Sequence, residues 1–226
     1  MQSFDYFYEA ATKVLGSEKE LVDRLPQVIG SRKLNARLDS EYLSLMCRRV
    51  FRSGLQHKMV DAKWPAFEKA YFGFDPQKII LLSDEQLDRR MQTDGVIKHW
   101  GKTKAIRVNA QLVITRSNQA NGFGRWLSAW PSEKIVDLWQ VLKKEGAHLG
   151  GHSGSRFLRM AGVDTFLLSQ DVVDVLVSHK LLDREPKTKA ELIKVQEIFN
   201  RWSAQSGKPL AHISRIVSFL APLRER

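Results

Sequence analysis

Cysteine is almost absent from this chain of 226 residues, which contains only Cys47. A single thiol excludes an internal disulfide and any zinc site built from several cysteines. Cys47 falls in an apolar pattern with Leu43, Met46 and Val50, so we expect a buried and unreactive thiol. We therefore expect no metal ion held by side chains, and in particular no zinc.

Long hydrophobic runs are also missing. No apolar stretch approaches the roughly 18 residues of a membrane-spanning helix, which argues against a membrane partner. The first residues are mixed and acidic around Asp5 and Glu9, unlike the basic and apolar pattern of a signal peptide. We therefore expect the protein in the cytoplasm.

Acidic residues are scarce relative to basic ones. The chain has 25 Asp and Glu against 36 Lys and Arg, which gives a formal net charge of +11. A surplus of this size predicts attraction to a polyanion, but it does not say which one.

Strand-like alternation is absent, and an apolar spacing near 3.6 residues recurs along the chain, which predicts an all-α fold. The pattern predicts helices over Phe4–Leu15 and 103–116, and Ser83 with Gln86 forms a capping box ahead of another helix. The polar segment 117–124 is the best candidate for a boundary between two lobes. Lobes built from discontinuous segments fit the pattern equally well.

The most informative stretch is a hairpin with four glycines between the helical patterns 135–145 and 155–161. Glycine tolerates positive φ and has no Cβ to obstruct an approaching surface. Successive backbone N–H groups ahead of a helix can cradle a phosphate. A helix, a hairpin and a helix of this kind can grip a DNA backbone without reading bases; an ordinary glycine-rich turn is the alternative. The predicted backbone-binding residues are Gly150, Gly151, His152, Ser153, Gly154, Ser155 and Arg156, with Lys98 and Lys102 from a second basic segment.

Two blocks of the sequence carry a resemblance to a known family. The first block contains four short motifs: Ser53-Gly54-Leu55, Trp64-Pro65-Ala66-Phe67, Gly73-Phe74-Asp75-Pro76 and Gly95-Val96-Ile97-Lys98-His99-Trp100-Gly101-Lys102. The second block is the hairpin segment 142–162. Together they resemble the DNA-3-methyladenine glycosylase I family of the helix-hairpin-helix DNA glycosylase superfamily. The resemblance implies a single domain over residues 1–226, with two helical lobes around a DNA-binding cleft. It also implies hydrolysis of the bond between an alkylated purine, such as 3-methyladenine, and its sugar.

The chain also departs from that family. The family has a zinc site of two cysteines and two histidines near its termini, and nothing here matches it. The base-pocket glutamate of the family corresponds to Arg49 in this chain, and its pocket tryptophan corresponds to His57. The identity of the excised base therefore does not carry over with the resemblance.

A catalytic carboxylate is expected from a second resemblance, to the aspartate-bearing branch of the superfamily. In that branch a short loop after the hairpin holds a carboxylate at the start of a helix. Asp171 takes this place if a small shift is allowed, whereas a strict register places Ser169 there. Cleavage of an N-glycosidic bond builds positive charge on the sugar, and a carboxylate can stabilise that charge and orient water. Helix capping is the alternative role for Asp171.

An enzyme that acts on a base must also take the base out of the stack. Gln56 and His57 follow a glycine at a helix end, where the resemblance implies an inserting side chain. Trp64 and Trp100, with Arg49, are candidates for the base pocket, although core packing is the alternative for both tryptophans.

The resemblance further bears on cofactors and on the type of cleavage. Strand-nicking relatives use a lysine on the second hairpin helix, where this chain has Ser155, so a glycosylase without lyase activity is expected. Hairpins of the superfamily hold a monovalent cation on backbone carbonyls, so Na⁺ or K⁺ is expected here, and no other cofactor.

Taken together, the sequence predicts a monomeric glycosylase of base excision repair that acts on double-stranded DNA. The alternative is a catalytically degenerate helix-hairpin-helix protein that recognises damaged or distorted DNA without base excision. A third interpretation is a basic helical adaptor that binds an acidic protein.

Overall fold

The computed structural model describes residues 3–221, and within that range the chain is helical with no β-strand. This confirms the predicted all-α class. Two short 3-10 helices, Phe72–Phe74 and Ser132–Lys134, accompany the α-helices. The α-helices are α1 (Phe4–Leu15), α2 (Glu18–Asp23), α3 (Ser31–Ala36), α4 (Asp39–Arg52), α5 (His57–Ala70), α6 (Pro76–Ile79), α7 (Asp84–Met91), α8 (Trp100–Ala120), α9 (Phe123–Ser128), α10 (Ile135–Glu145), α11 (His152–Met160), α12 (Gln170–Ser178), α13 (Lys189–Ser206) and α14 (Leu210–Ser218).

The chain folds into two compact units, and each unit is assembled from separated segments. The first contains the described residues up to Val28, then Pro131–Leu138, and the described residues from Asp164 onward; the second contains Ile29–Trp130 and Trp139–Val163. The segment 117–124, a candidate lobe boundary in the sequence, lies inside the second unit. The reason is that α8 continues to Ala120, so that only Asn121 and Gly122 separate it from α9. Asn121 makes this short connection with a left-handed φ of 57°.

The first unit has an aromatic core. The rings of Phe7 and Trp202 lie 4.9 Å apart, and those of Phe166 and Phe199 stack at 4.6 Å. Asp164 closes the start of α14, because its two carboxylate oxygens accept the backbone N–H groups of Leu210 and Ala211 at 3.1 and 2.8 Å. This unit therefore consists mainly of α1, α12, α13 and α14 packed around aromatic side chains.

The second unit is organised around α4 and α8, and Trp64 belongs to its core. The indole of Trp64 is 3% exposed and stacks on Phe67 and Phe74, and its Nε1 donates to the Ser44 hydroxyl at 2.9 Å. This corrects its candidacy for the base pocket, because the ring is buried against two other aromatic rings and its polar atom is already satisfied. The capping box of Ser83 and Gln86 ahead of α7 is confirmed.

The helix that follows the hairpin begins earlier than the apolar pattern predicts. It starts at His152, with Gly151 as the N-cap residue at φ 55° and ψ −129°. Ser153, Gly154 and Ser155 therefore lie in the first turn of α11 rather than in the loop. Apolar periodicity misses this turn because its side chains are small and polar, although they are buried.

Candidate nucleic-acid interface

The hairpin connects α10 to α11 through residues 146–151, and one residue of α8 fixes it in place. The Asn109 side chain is fully buried, its Nδ2 donates to the Ala147 carbonyl at 3.2 Å, and its Oδ1 accepts the Ala147 N–H at 2.8 Å. A side-chain amide that satisfies both polar groups of one residue defines the path of the loop.

Glycines of the hairpin serve two different physical purposes. A Cβ on Gly154 would lie 2.8 Å from the Leu149 carbonyl oxygen, and a Cβ on Gly146 would lie 2.9 Å from that of Leu142. These two positions need glycine because the backbone approaches closely. Gly151 is exposed, and a Cβ there would meet no atom within 4 Å, but its φ of +55° favours glycine.

The predicted backbone-binding residues of the hairpin differ in accessibility. Gly151 and His152 are exposed, and Gly150 and Arg156 are half-buried. Ser153 and Ser155 are only 8% and 3% exposed. The Ser155 hydroxyl donates to the His152 carbonyl oxygen at 3.2 Å, and the Ser153 N–H donates to the Gly150 carbonyl oxygen at 3.1 Å. The phosphate contacts of these two serines stay a prediction.

The second basic segment contains Lys98, which lies before α8, and Lys102, which lies in the first turn of α8. It contributes less positive charge to the surface than predicted. Lys102 is buried, and its Nζ donates to the carbonyl oxygens of Phe51 and Ser53 at 3.2 and 2.6 Å. Burial, and next the charge of Arg49, lowers the pKa of Lys102. Its ammonium therefore closes the end of α4 instead of facing a phosphate. Lys98 is exposed, so its predicted phosphate contact stays a prediction.

A cavity of about 560 Å³ opens where α4 ends, α5 begins and α11 begins. It combines three of the residues that the sequence analysis assigned to the base pocket or wedge with two residues of α11. Its lining is Arg49, Arg52, Ser53, Gly54, Leu55, Gln56, His57, His152 and Arg156. We call it the Arg49 pocket.

The Arg49 pocket has more positively charged side chains than nearby carboxylates to neutralise them. Asp61 binds Arg52 through Nη2 at 2.5 Å and also Arg48 through Nε at 2.9 Å. The Arg49 side chain is 8% exposed, and its Nε has no hydrogen-bond partner among the described residues. Burial lowers the pKa of Arg49, as do the charges of Arg156 and then Arg52.

The two wedge candidates, Gln56 and His57, lie at the rim of the same pocket. Gln56 is the N-cap residue of α5 and makes no side-chain capping bond, and both side chains are exposed. Partial burial, then Arg52, Arg49 and Arg156, lowers the pKa of His57. Exposed side chains at a helix start are available for insertion, so the wedge role stays a prediction.

Trp100 is not among the residues that line the Arg49 pocket. It is the half-buried first residue of α8, and the Lys104 ammonium lies 5.4 Å from the centre of its ring. His99 precedes it as the N-cap residue of α8, with Nδ1 accepting the Lys102 N–H at 3.3 Å.

The catalytic candidates belong to the first unit. Ser169 is the N-cap residue of α12, and its hydroxyl accepts the Val172 N–H at 3.4 Å. Asp171 is the second residue of the helix and is half-buried. Ser169 therefore caps α12, which was the alternative role for Asp171. The Asp171 carboxylate has the Arg215 guanidinium as a charged neighbour.

The described part of the chain contains neither a cluster of side chains suited to a metal ion nor a membrane-spanning helix. Within residues 3–221, no group of three or more His, Cys, Asp and Glu side chains is arranged to hold a metal ion. Over the same residues, every helix is too short or too polar to cross a membrane.

Comparison with solved structures defines the fold. The 8-oxoguanine DNA glycosylase of Thermotoga maritima superposes with a TM-score of 0.61 at 15% identity, covering 96% of this chain and 96% of that chain. A mutant of the 3-methyladenine DNA glycosylase I of Staphylococcus aureus gives 0.51 at 20% identity, covering 66% of this chain and 89% of that one. The chain therefore has the all-α fold of DNA glycosylases, as predicted.

The family is shown by sequence. A family model described as methyladenine glycosylase matches residues 34–148, which is more than half of the chain. The protein belongs to the methyladenine glycosylase family, which confirms the resemblance seen in the sequence.

The individual relatives match a shorter part of the chain than the family model does. The DNA-3-methyladenine glycosylase of Haemophilus influenzae is 27% identical over 91 residues, which are 40% of this chain and 49% of the relative. The DNA-3-methyladenine glycosylase 1 of Escherichia coli is 29% identical over 86 residues, which are 38% of this chain and 46% of the relative. The chain thus spans about half the length of the curated relatives it matches.

Proposed function

We propose that the protein is a DNA glycosylase of base excision repair that hydrolyses the N-glycosidic bond of alkylated purines such as 3-methyladenine. We propose further that it acts as a monomer on double-stranded DNA in the cytoplasm. One observation carries this proposal: a chain of the methyladenine glycosylase family places a rigid glycine hairpin and the Arg49 pocket side by side on one unit.

Binding to the duplex is assigned to the hairpin. Gly150, Gly151 and His152 present backbone N–H groups at the start of α11, where the helix dipole favours an anion. Arg156 adds a full charge one turn further on, and the net charge of +11 attracts the duplex from a distance. A Na⁺ or K⁺ ion on the hairpin carbonyls is part of the proposal.

The chemical step is assigned to Asp171. As the bond between the base and the sugar breaks, its electrons leave with the purine and positive charge develops on the sugar. A carboxylate stabilises this charge and directs water to the sugar carbon. Because Ser155 stands where strand-nicking relatives have a lysine, no Schiff base forms and the product is an intact strand with an abasic site.

A second candidate function is favoured by one specific observation. Arg49 puts an uncompensated positive charge in the pocket where the resemblance places the family's glutamate. A purine alkylated at N3 carries positive charge while it is attached to the sugar, so this pocket would repel it. The alternative is therefore a protein that recognises damaged or distorted DNA without excising a base.

Base release separates the two candidates. Duplexes that each contain one damaged base, including 3-methyladenine, would be incubated with the purified chain, and the released bases would be identified by mass spectrometry. We expect a released alkylated purine and strand breakage only after alkali treatment. Salt-dependent binding to all the duplexes without any released base would instead establish the second candidate. A chain that does not bind duplex DNA would contradict both.

A further inference from the structure

The Arg49 pocket contains a charge that the fold itself does not neutralise. Arg49 is almost fully buried, its Nε lacks a hydrogen-bond partner among the described residues, and the charged groups that most affect its pKa are other arginines. A nearly buried guanidinium that has an unpaired N–H and faces no carboxylate lowers the stability of a protein. A ligand that supplies the missing opposite charge would remove this cost.

Every charged or titratable side chain that lines the pocket is basic. Arg49 and Arg52 come from the end of α4, His57 from the start of α5, and His152 and Arg156 from the first turns of α11. His152 and Arg156 are four residues apart, so they share one face of their helix. The nearby carboxylate of Asp61 is already bound by Arg48 and Arg52.

The start of α11 adds its own positive potential to this site. The helix is nine residues long, its N-cap residue is a glycine with no side chain to bind the first N–H groups, and His152 at its first position lines the pocket. Backbone N–H groups at such a helix start favour an anion. The helix start and the buried Arg49 therefore point to the same class of ligand by independent observations.

We propose that the Arg49 pocket binds a phosphoryl group of a DNA strand, with Arg49 and Arg156 as its charge partners and the start of α11 as a backbone donor. A planar guanidinium matches two phosphate oxygens at once, which an ammonium cannot do. The inference rests on the DNA binding that the proposed function assigns to Arg156 and the start of α11, and it adds Arg49 of α4 as the central charge partner. It does not depend on base release, so a failed release assay and a failed phosphate response are distinguishable.

The phosphoryl group can come from two sources. One is an internal phosphodiester of an intact strand, and the other is the terminal phosphate of a nicked strand. Both present the same oxygens to Arg49, but a terminal phosphate carries more negative charge. Binding to nicked duplexes with and without that terminal phosphate distinguishes the two sources.

The first experiment measures stability with inorganic phosphate. Thermal unfolding of the full chain would be followed in potassium phosphate and in potassium chloride of equal ionic strength. Phosphate raises the unfolding temperature of folded proteins in general as an excluded salt, and we expect binding to raise that of the wild type further by mass action. Arg49→Met should keep only the general rise. In chloride it should be as stable as the wild type or more so, because it removes a nearly buried charge that no carboxylate faces.

Arg32→Gln is the matched control, because Arg32 is an exposed arginine of the same unit outside the pocket. It should keep the response to phosphate. If phosphate raises the unfolding temperature of Arg49→Met as much as that of the wild type, Arg49 has only a structural role and the proposal is overturned.

The second experiment locates the source of the phosphoryl group. Affinities would be measured for an intact duplex, a nicked duplex with a 5′-phosphate and the same nick with a 5′-hydroxyl. We expect Arg49→Met to weaken binding about tenfold, which is the effect of one lost charge-assisted contact. An equal loss on all three duplexes identifies an internal phosphodiester, and a loss confined to the 5′-phosphate identifies a terminal one. No loss on any duplex would contradict the proposal.

Discussion

Asn109 on α8 holds both polar groups of Ala147 in the hairpin, with its Nδ2 on the carbonyl oxygen at 3.2 Å and its Oδ1 on the N–H at 2.8 Å. The side chain is fully buried. The loop that presents backbone N–H groups at the start of α11 is therefore fixed by a residue that is distant in sequence and never reaches the surface.

Replacing Asn109 by alanine should destabilise the chain and loosen the hairpin. Two hydrogen bonds are lost and the polar groups of Ala147 are left unsatisfied, which costs about 1–3 kcal/mol. Denaturant unfolding measures this loss, and duplex affinity should fall for every sequence alike. Asn118→Ala on the exposed side of α8 is the control and should change neither quantity. An Asn109→Ala protein with wild-type stability and affinity would show that the hairpin orders itself.

Two hairpin glycines should lose stability on replacement by alanine for different reasons. At Gly154 the new methyl group would lie 2.8 Å from the Leu149 carbonyl oxygen, so we expect a loss of about 1–3 kcal/mol, the usual effect of overpacking. At Gly151 there is open space, but φ 55° with ψ −129° is a backbone conformation that alanine rarely adopts, which costs about 1–3 kcal/mol. Gly207→Ala, with φ 67° and ψ 6° in the left-handed region and open space in the first unit, should lose about 1 kcal/mol. Denaturant unfolding of the three variants measures these losses, and a loss at Gly154 no greater than at Gly207 would contradict the close approach.

The alanine variants of Gly151 and Gly207 also test how the hairpin contacts DNA. Gly151→Ala should weaken duplex binding more than Gly207→Ala does, because its methyl group lies on the exposed approach to the start of α11. Equal affinities for these two variants would argue against a backbone contact at Gly151.

The sequence predicts the fold class and the hairpin well, and for physical reasons. Apolar periodicity reports which helix face is buried, and glycines report a tight turn, so both features are visible locally. Burial of a polar residue is a tertiary property. Lys102 is basic, and periodicity alone cannot show that its ammonium binds the carbonyl oxygens of Phe51 and Ser53. For the same reason, the sequence does not reveal that Asn109 positions the hairpin or that Arg52 lines a pocket.

Trp64 and Arg49 are both base-pocket candidates in the sequence, and the structure places them differently. Trp64 is a candidate because tryptophan can stack on a base, but it stacks on Phe67 and Phe74 in the core. Arg49 lines a pocket, and the sequence does not show that it is nearly buried with an Nε that has no partner among the described residues. The local signal of this charge is a cluster of arginines at positions 48, 49 and 52, at the end of one helix.

Protonation of His57 should make the free energy of unfolding depend on pH. Its pKa is lowered from the ordinary value of 6.5, mainly by partial burial and then by Arg52, Arg49 and Arg156, with Asp61 opposing. Below that ordinary value the unfolded chain takes up a proton more readily than the folded one, so stability falls as the pH falls. Between about pH 7.5 and about pH 5.5, the wild type should therefore lose more stability than His57→Gln.

Denaturant unfolding at the two pH values provides the measurement. Phosphate offers an internal control, because a bound anion would favour protonated His57 and reduce the difference between the two proteins. If the wild type instead gains stability relative to His57→Gln as the pH falls, the positive surroundings of His57 are not what the structure indicates.

Gln56 and His57 together are expected to fill the space left by an extruded base. Replacing both by alanine should slow extrusion and reduce the fluorescence change of 2-aminopurine placed beside the lesion. Both side chains are exposed and Gln56 makes no capping bond, so folding should be unaffected. Lys58→Ala on the following exposed position is the control. Unchanged extrusion by the double variant would make these two residues ordinary surface residues of α5.

Asp171 and Ser169 can be separated because only one of them caps the helix. The Ser169 hydroxyl accepts the Val172 N–H, so Ser169→Ala should destabilise the chain by about 1 kcal/mol and leave turnover intact. Asp171→Asn keeps the size of the side chain and removes its charge, so the protein should fold and bind DNA. Its rate of base release should fall by about two to three orders of magnitude, the usual cost of losing electrostatic stabilisation at a reacting centre.

Asp174 offers the matched control. It accepts a hydrogen bond from Gln170 at 2.8 Å one turn into the helix, and Asp174→Asn should release the base at a rate near that of the wild type. Single-turnover base release by the four proteins, with unfolding curves for each, tests the assignment. A fully active Asp171→Asn protein, or a greater loss with Asp174→Asn, would remove Asp171 from the chemistry.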